Sequence, residues 1–193
     1  MEKIDEARLE TDNEYRYNYL CEFIGFGTED GALIQAFAPH LGPHIGELVE
    51  QTYEKLLAYD ATARHFLPKQ HGYEGEVPES LADLAPDHPQ IQFRKDHLNR
   101  YFMQLISRSY DAKISKYLDI VGKMHTPKAG SKEIDVPLIQ MNALMGLLAD
   151  TLTTAIAESP LDKDTALKTQ RAFSKLLWIQ NDFITRHYAA TTG

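Results

Sequence analysis

One histidine of this sequence is well placed to bind a metal ion. His125 lies in the stretch VGKMHTPKAG, just before a proline and a glycine that end a helical pattern. Large side chains recur upstream at three- and four-residue spacing, which predicts that the imidazole faces inward with them. These side chains are Tyr110, Ile114, Tyr117, Leu118 and Val121. A neutral imidazole binds transition metals, although a histidine on an apolar face also serves as an ordinary core residue.

Other chemical motifs are weak or absent. His40 and His44 have metal-like spacing, but Pro43 lies between them and no HExxH arrangement occurs, which disfavours a zinc-protease helix. Neither a Gly-x-Ser-x-Gly nucleophile motif nor a glycine-rich phosphate loop is present. Tyr53 is predicted to point inward from a helix that is otherwise apolar. The candidate site therefore combines one imidazole with one phenol.

Composition excludes several function classes. The 193 residues include 20 lysines and arginines against 28 acidic residues, a formal net charge of −8, and no dense basic run. Binding to nucleic acid is therefore disfavoured. No signal peptide and no apolar stretch of membrane-spanning length is found, so we expect a cytoplasmic protein with no membrane contact. The single cysteine, Cys21, cannot form an internal disulfide.

Hydrophobic periodicity predicts an all-α protein. Helical spacing occurs almost everywhere, whereas alternation typical of strands is hard to find. The predicted helices cover residues 13–23, 28–38, 44–58, 89–107, 111–125, 137–158 and 162–188, with a short turn of helix over 60–66. Residues 67–89 are rich in proline and glycine and predict a long loop. We expect a single domain over 1–193, with 1–25 as an N-terminal extension helix.

The last two predicted helices carry apolar residues beyond one narrow stripe. Methionine, leucine and tryptophan side chains extend around them, so one apolar face could pack against a second copy of the chain. The same residues could also be buried within one chain. The prediction is a homodimer formed through the two C-terminal helices.

The run DHLNRYFMQLISRSYDAKISKYLDIVGKMH resembles the protoglobin and globin-coupled sensor family. In that family, a helix, a Ser-Tyr-Asp-like turn and a second helix with glycine three residues before histidine form the proximal side of a heme pocket. Here the turn is Ser109, Tyr110 and Asp111, the glycine is Gly122, and the proximal position falls on His125. The resemblance implies a three-over-three globin fold with an extra N-terminal helix, and heme b held by His125.

The resemblance continues upstream through residues 26–66, where the distal tyrosine position falls on Tyr53. It implies that this phenol donates a hydrogen bond to bound oxygen, although a core tyrosine bonded to a backbone carbonyl is the alternative. Gly122 is expected where the helix approaches the porphyrin, with ordinary helix packing as the alternative, and His97 is expected at the rim or surface. Further residues implied at the heme pocket are Thr52, Phe66, Arg94, Leu98, Leu144, Leu147 and Leu148.

Two of these positions depart from the pattern common in protoglobins. Thr52 replaces a bulky aromatic residue beside the distal tyrosine, and Leu98 stands where phenylalanine is frequent. Both changes are expected to open the distal cavity. Arg94, one helical turn before Leu98, is expected either at the heme edge near a propionate or on the solvated surface.

The function implied by the resemblance is reversible binding of O2, CO or NO, as a gas carrier, scavenger or sensor. Only AATTG follows Tyr188, so signalling is expected to use a separate partner or the dimer. One alternative is a heme enzyme with NO dioxygenase or peroxidase-like activity, for which an external reductant is needed. Another is a globin-fold interaction module that has lost heme. A non-enzymatic role is favoured, and no catalytic residue is assigned.

Overall fold

The computed structural model describes residues 1, 3–129 and 133–188. This part of the chain is all-α, as predicted, and contains no strand. Its helices are α1 (Glu6–Thr11), α2 (Asn13–Ile24), α3 (Thr28–Leu41), α4 (Ile45–Leu57), α5 (Asp60–Ala63), α6 (Pro89–Ser107), α7 (Ile114–Lys123), α8 (Leu138–Ala157) and α9 (Lys163–Thr185). Short 3-10 segments cover Gly42–His44, Arg64–Phe66, Leu81–Asp83 and Pro127–Ala129. None of the described helices combines the length and apolar character needed to cross a bilayer.

The N-terminal extension is two helices, where a single helix over 1–25 was predicted. Asp12 lies between α1 and α2 with extended backbone, and its Oδ1 atom accepts hydrogen bonds from the N–H groups of Glu14 and Tyr15. The carboxylate therefore starts a new helix by capping it. At the other end of α2, Gly25 adopts a left-handed conformation with φ of 73°, which glycine tolerates without steric penalty and which ends the helix.

Pro39 does not end α3, although the sequence predicted a break after residue 38. The helix runs on to Leu41. A proline inside a helix leaves the carbonyl four residues earlier without its N–H partner. That carbonyl belongs to Gln35, and Gln35 and Pro39 are both exposed, so water can bond to it.

The helix predicted over 111–125 is shorter at both ends. Residues 111–113 form a turn, in which the carbonyl and side chain of Asp111 accept hydrogen bonds from Ile114 N and Lys113 N at 3.0 and 2.9 Å. The helix ends at Lys123, and His125 lies in the tighter turn that follows, with its N–H 3.4 Å from the Gly122 carbonyl. The helical spacing still places the imidazole inward because this turn keeps a helix-like direction.

Helix α9 is the centre of the packing. It contacts α3, α7 and α8, while α6 contacts α3 and α4 on the other side of the molecule. The helices α3, α4 and α6 thus form one layer, and α7, α8 and α9 form the second. Several α9 side chains have no exposed surface, among them Ala172, Leu176, Ile179 and Phe183. The histidine turn and the start of α8 lie where the two layers separate.

Gly122 allows α7 to lie directly on α9. A Cβ atom at this position would lie 2.8 Å from Cδ2 of His187 and 3.1 Å from Cα of Ile184, and closer still to the carbonyl oxygen of Phe183. Because real Cβ atoms do not approach other atoms so closely, the two backbones can only meet here at a glycine. The glycine therefore sets the position of the helix that precedes His125.

A buried carboxylate joins α7 to both ends of the chain. Asp119 lies 2.9 Å from Lys123 Nζ, 2.9 Å from His187 Nε2 and 3.7 Å from Arg186 Nη1. Arg186 also donates to Oδ1 of Asn13 at 2.6 Å. Burial raises the pKa of Asp119, but the bond from Lys123 and the neighbouring charges outweigh it, so its pKa lies below the usual value. The ionised carboxylate thus ties α2 and α9 to the helix that positions His125.

Replacing Gly122 by alanine should destabilise the protein by about 1–3 kcal/mol, the range typical of overpacked interiors. The added methyl group would push α7 away from α9, whose backbone cannot move easily. Urea unfolding measures the change in the free energy of unfolding. Gly146→Ala in α8 is the matched control, because a Cβ atom there meets nothing within 4 Å. Equal stability of the two variants would contradict the close helix contact.

Candidate functional site

A cavity of about 430 Å³ lies between the two layers. This volume is within the range of roughly 300–1,000 Å³ found for sites of small molecules and cofactors. Its walls come from α4, α6, the turn after α7, α8 and α9, and are mainly apolar. It brings together seven of the residues expected at the pocket: Tyr53, Phe66, Arg94, Leu98, His125, Leu144 and Leu148.

The orientation of the His125 ring is set by one hydrogen bond. Its Nδ1 atom lies 2.9 Å from the carbonyl oxygen of Val121, one turn earlier. Since a carbonyl can only accept, Nδ1 must carry the proton, which leaves the lone pair on Nε2 free. The backbone is held as well, because the carbonyl of His125 accepts a hydrogen bond from Val136 N at 3.0 Å. This arrangement is the one that orients histidine ligands in metal sites.

Burial keeps this imidazole neutral at pH 7. Desolvation lowers the pKa of His125, the bond to Val121 partly opposes this effect, and the charge of Arg94 lowers the pKa further. A neutral ring is the form that binds a metal ion.

Tyr53 presents an unpaired hydroxyl to the cavity. The buried Tyr17 and the half-buried Tyr110 donate to backbone carbonyls, Tyr17 to Tyr110 O at 3.2 Å and Tyr110 to Leu105 O at 2.5 Å. No described residue accepts such a bond from Tyr53, which lines the cavity with only 6% of its surface exposed. Burial raises the pKa of Tyr53, with Arg94 partly opposing, so the phenol stays protonated. It can therefore donate a hydrogen bond to a ligand in the cavity.

Arg94 lies inside the pocket. Its guanidinium group is 5.2 Å from the centre of the Phe66 ring, which itself is 5.6 Å from the Tyr53 ring. The Nη2 atom donates to the carbonyl of Pro68 at 3.0 Å. Burial lowers the pKa of Arg94, with Tyr53 opposing, but arginine remains charged at neutral pH. A positive charge thus sits on the same wall as the phenol.

Three expected pocket residues face elsewhere. Thr52 is buried and bonds through Oγ1 to the Leu48 carbonyl at 2.7 Å, so it does not line the cavity. Gly122 contacts α9 and does not line the cavity. Leu147 is about 100° around α8 from Leu148 and also points away.

The cavity also contains polar residues that the sequence did not assign to it. His65, Tyr101, Gln104 and Gln180 line it, and each has a buried polar atom without a partner among the described residues. Tyr101 follows Arg94 and Leu98 at helical spacing, so extending that stripe would have found it. His65 lies in a 3-10 segment with no periodic signal.

His97 lines the cavity as well, next to Leu98. Its Nδ1 atom contacts the Phe93 carbonyl at 2.7 Å, and its ring packs 4.4 Å from the Phe93 ring centre. His125 differs from His97 in its position: it belongs to the layer opposite Tyr53. The cavity therefore has an imidazole on one wall and a phenol on the other.

The sequence matches the family model named Protoglobin over residues 13–192. The chain belongs to the protoglobin family. Its structure is similar to the globin domain of the Geobacter sulfurreducens globin-coupled sensor, with a TM-score of 0.70 and 20% sequence identity, covering 89% of this chain and 96% of that one. No curated protein matches the sequence. These similarities confirm the predicted all-α globin fold.

Membership of the protoglobin family implies heme binding and diatomic gas ligands. The residues of this protoglobin fit that cofactor. Heme iron requires one strong nitrogen ligand and an open position on its other side. The cavity supplies the free Nε2 of His125, apolar walls that include Leu98, Leu144 and Leu148, and a hydroxyl donor.

Proposed function

We propose that this protein holds heme b in the cavity, with His125 as the proximal iron ligand, and binds O2, CO or NO reversibly. The observation that supports the proposal best is the hydrogen bond from His125 Nδ1 to the Val121 carbonyl. It leaves Nε2 as the only lone pair of a neutral ring that lines an apolar cavity. A role as a gas carrier, scavenger or sensor follows from reversible binding.

When bound, ferrous heme supplies an iron position that takes up diatomic gases. The protein determines what surrounds that position. Apolar side chains of α6 and α8 exclude water, since Leu98, Leu144 and Leu148 line the cavity. In such surroundings a hydrogen bond is electrostatically stronger than in water. The unpaired hydroxyl of Tyr53 is the donor that we assign to a polar ligand such as O2.

We expect His125→Ala to abolish stable heme binding and to lower the stability of the protein. A ligand that binds only the native state stabilises it, so loss of heme removes that contribution. The measurements are the Soret absorption of purified protein expressed with heme supplied, and its thermal unfolding. His97→Ala is the matched control. It removes another imidazole of the cavity whose Nδ1 atom also contacts a backbone carbonyl.

Heme content should be unchanged in the His97 variant. Full heme content with an unchanged ferrous spectrum in His125→Ala would contradict the assignment of the proximal ligand. A wild-type protein without any Soret band would instead favour a heme-free interaction module.

Tyr53→Phe should accelerate O2 dissociation roughly tenfold or more, the range expected when a hydrogen bond to a partly charged group is lost. CO dissociation should change far less, because CO carries little charge for the phenol to stabilise. Stopped-flow displacement measures both rates. Tyr101→Phe is the control, since this tyrosine also lines the cavity with an unpaired hydroxyl. Equal acceleration for both gases in Tyr53→Phe would indicate a steric role.

The homodimer predicted through the C-terminal helices is also part of the proposal. A groove of about 490 Å³ runs between α8 and α9, and Trp178 at its edge is 65% exposed. Every residue described as lining this groove is uncharged, although the chain has a net charge of −8. Two copies could therefore meet here without like-charge repulsion, and protein interfaces are depleted of charged residues at their core.

Trp178→Glu should convert the dimer to a monomer, because pairing about a two-fold axis places the new carboxylates on the same interface. Sedimentation velocity at micromolar concentration measures the change. Leu167→Glu is the control, since Leu167 is 56% exposed on the same helix but does not line the groove. A monomeric wild-type protein, or a dimer that survives in Trp178→Glu, would contradict the proposed interface.

A further inference from the structure

Arg94 is a half-buried cation that has no acidic partner among the described residues. Two other cations with largely buried side chains pair with carboxylates: Lys95 lies 2.5 Å from Glu50, and Arg16 lies 2.5 Å from Asp182. No described Asp or Glu lies within ion-pair distance of Arg94, and its Nε atom is buried without any partner. An unpaired buried charge is costly, so such a group is usually matched by an anion.

Another unpaired nitrogen lines the same cavity. The Nε2 atom of His65 is buried and has no hydrogen-bond partner among the described residues. Burial and the charge of Arg64 lower the pKa of His65, while Asp135, an exposed acid, opposes them. His65 precedes Phe66, the residue whose ring lies under the Arg94 guanidinium. Two nitrogen atoms without partners thus belong to adjoining parts of one wall.

This wall is held in place without Arg94. The side chain of Gln90 has no exposed surface, and it donates to the carbonyls of Phe66 at 2.7 Å and Pro68 at 3.3 Å. It also accepts a hydrogen bond from Gln70 N at 3.2 Å. The single bond from Arg94 to Pro68 is therefore redundant for holding the segment. The other N–H groups of the guanidinium therefore remain available to bind another group.

We propose that Arg94, together with His65, forms a binding edge for an anion with carboxylate-like oxygens inside the cavity. The anion has two candidate sources. One is a propionate group of heme, and for this source the inference rests on the proposed function. The other source is a free oxyanion of similar shape, such as nitrite. A guanidinium is suited to both because its planar donors match paired oxygens. A propionate bound here would hold the heme edge on the wall formed by Phe66 and α6.

The first arm of the test compares two forms of the cofactor. Wild-type protein and Arg94→Met are reconstituted with heme or with heme dimethyl ester, and heme transfer to excess apomyoglobin is timed. If Arg94 binds a propionate, the substitution accelerates loss of heme roughly 10- to 100-fold, the loss expected for a charged hydrogen bond. Loss of the dimethyl ester, which has no carboxylate, stays the same in both proteins.

Two control variants separate charge recognition from structure. Arg64→Met removes a positive charge from the exposed surface of the neighbouring segment and should change neither rate. Gln90→Leu loosens the Phe66 to Gln70 segment but leaves the guanidinium in place. It should accelerate loss of heme and of its ester by equal factors, because it does not distinguish carboxylate from ester.

The second arm uses sodium nitrite and the purified full chain in isothermal titration calorimetry. A free anion is the ligand if two results are found together. Nitrite affinity is at least tenfold lower in Arg94→Met, and the two proteins lose heme at equal rates and heme dimethyl ester at equal rates. If the wild-type protein contains no heme, the proposed function is contradicted, but the nitrite titration still tests the role of Arg94. The inference is overturned if the substitution changes neither the ratio of heme to ester loss nor nitrite binding.

Discussion

The hydrogen bond between His125 and the Val121 carbonyl is the interaction on which the candidate site depends. It selects the tautomer that leaves Nε2 free, and it sets the plane of the ring. The acceptor belongs to α7, so the ring is only as well placed as that helix. Gly122 allows α7 to touch α9, and Asp119 connects it to Arg186 and His187 near the end of the chain. The proximal side is thus built by packing that lies outside the cavity.

The opposite wall is arranged by different means. The rings of Tyr53 and Phe66 pack at a tilt, Arg94 lies over the Phe66 ring, and Gln90 holds the first part of the long loop against α6. The loop predicted over 67–89 is therefore attached to the pocket at its beginning, and Lys95 holds the Pro86 carbonyl near its end. An apolar cavity with the neutral imidazole of His125, the protonated phenol of Tyr53 and the cation of Arg94 suits a ligand that is mostly apolar and carries a negative edge.

Much of this architecture was predictable because it depends on local patterns. Helical periodicity identified α4, α6, α8 and α9 to within a few residues, and the resemblance to protoglobins pointed to His125 and Tyr53, both of which line the cavity. The sequence missed features that depend on how the chain is capped, solvated and packed. Asp12 divides the N-terminal extension by capping a new helix, and Pro39 is tolerated because the unpaired carbonyl of Gln35 faces solvent. Thr52, Gly122 and Leu147 were expected at the pocket from the resemblance to protoglobins, and none of them lines the cavity.

By itself, the amino-acid sequence determined the fold class, the family and the inward direction of His125, because spacing along a helix controls which side chains share a face. Tertiary structure alone decided that Gly122 contacts α9 and that His65 joins the pocket wall. It also decided that Arg94 is half-buried without a described carboxylate partner. These properties depend on atoms distant in the sequence, which approach one another only when the two helical layers pack together.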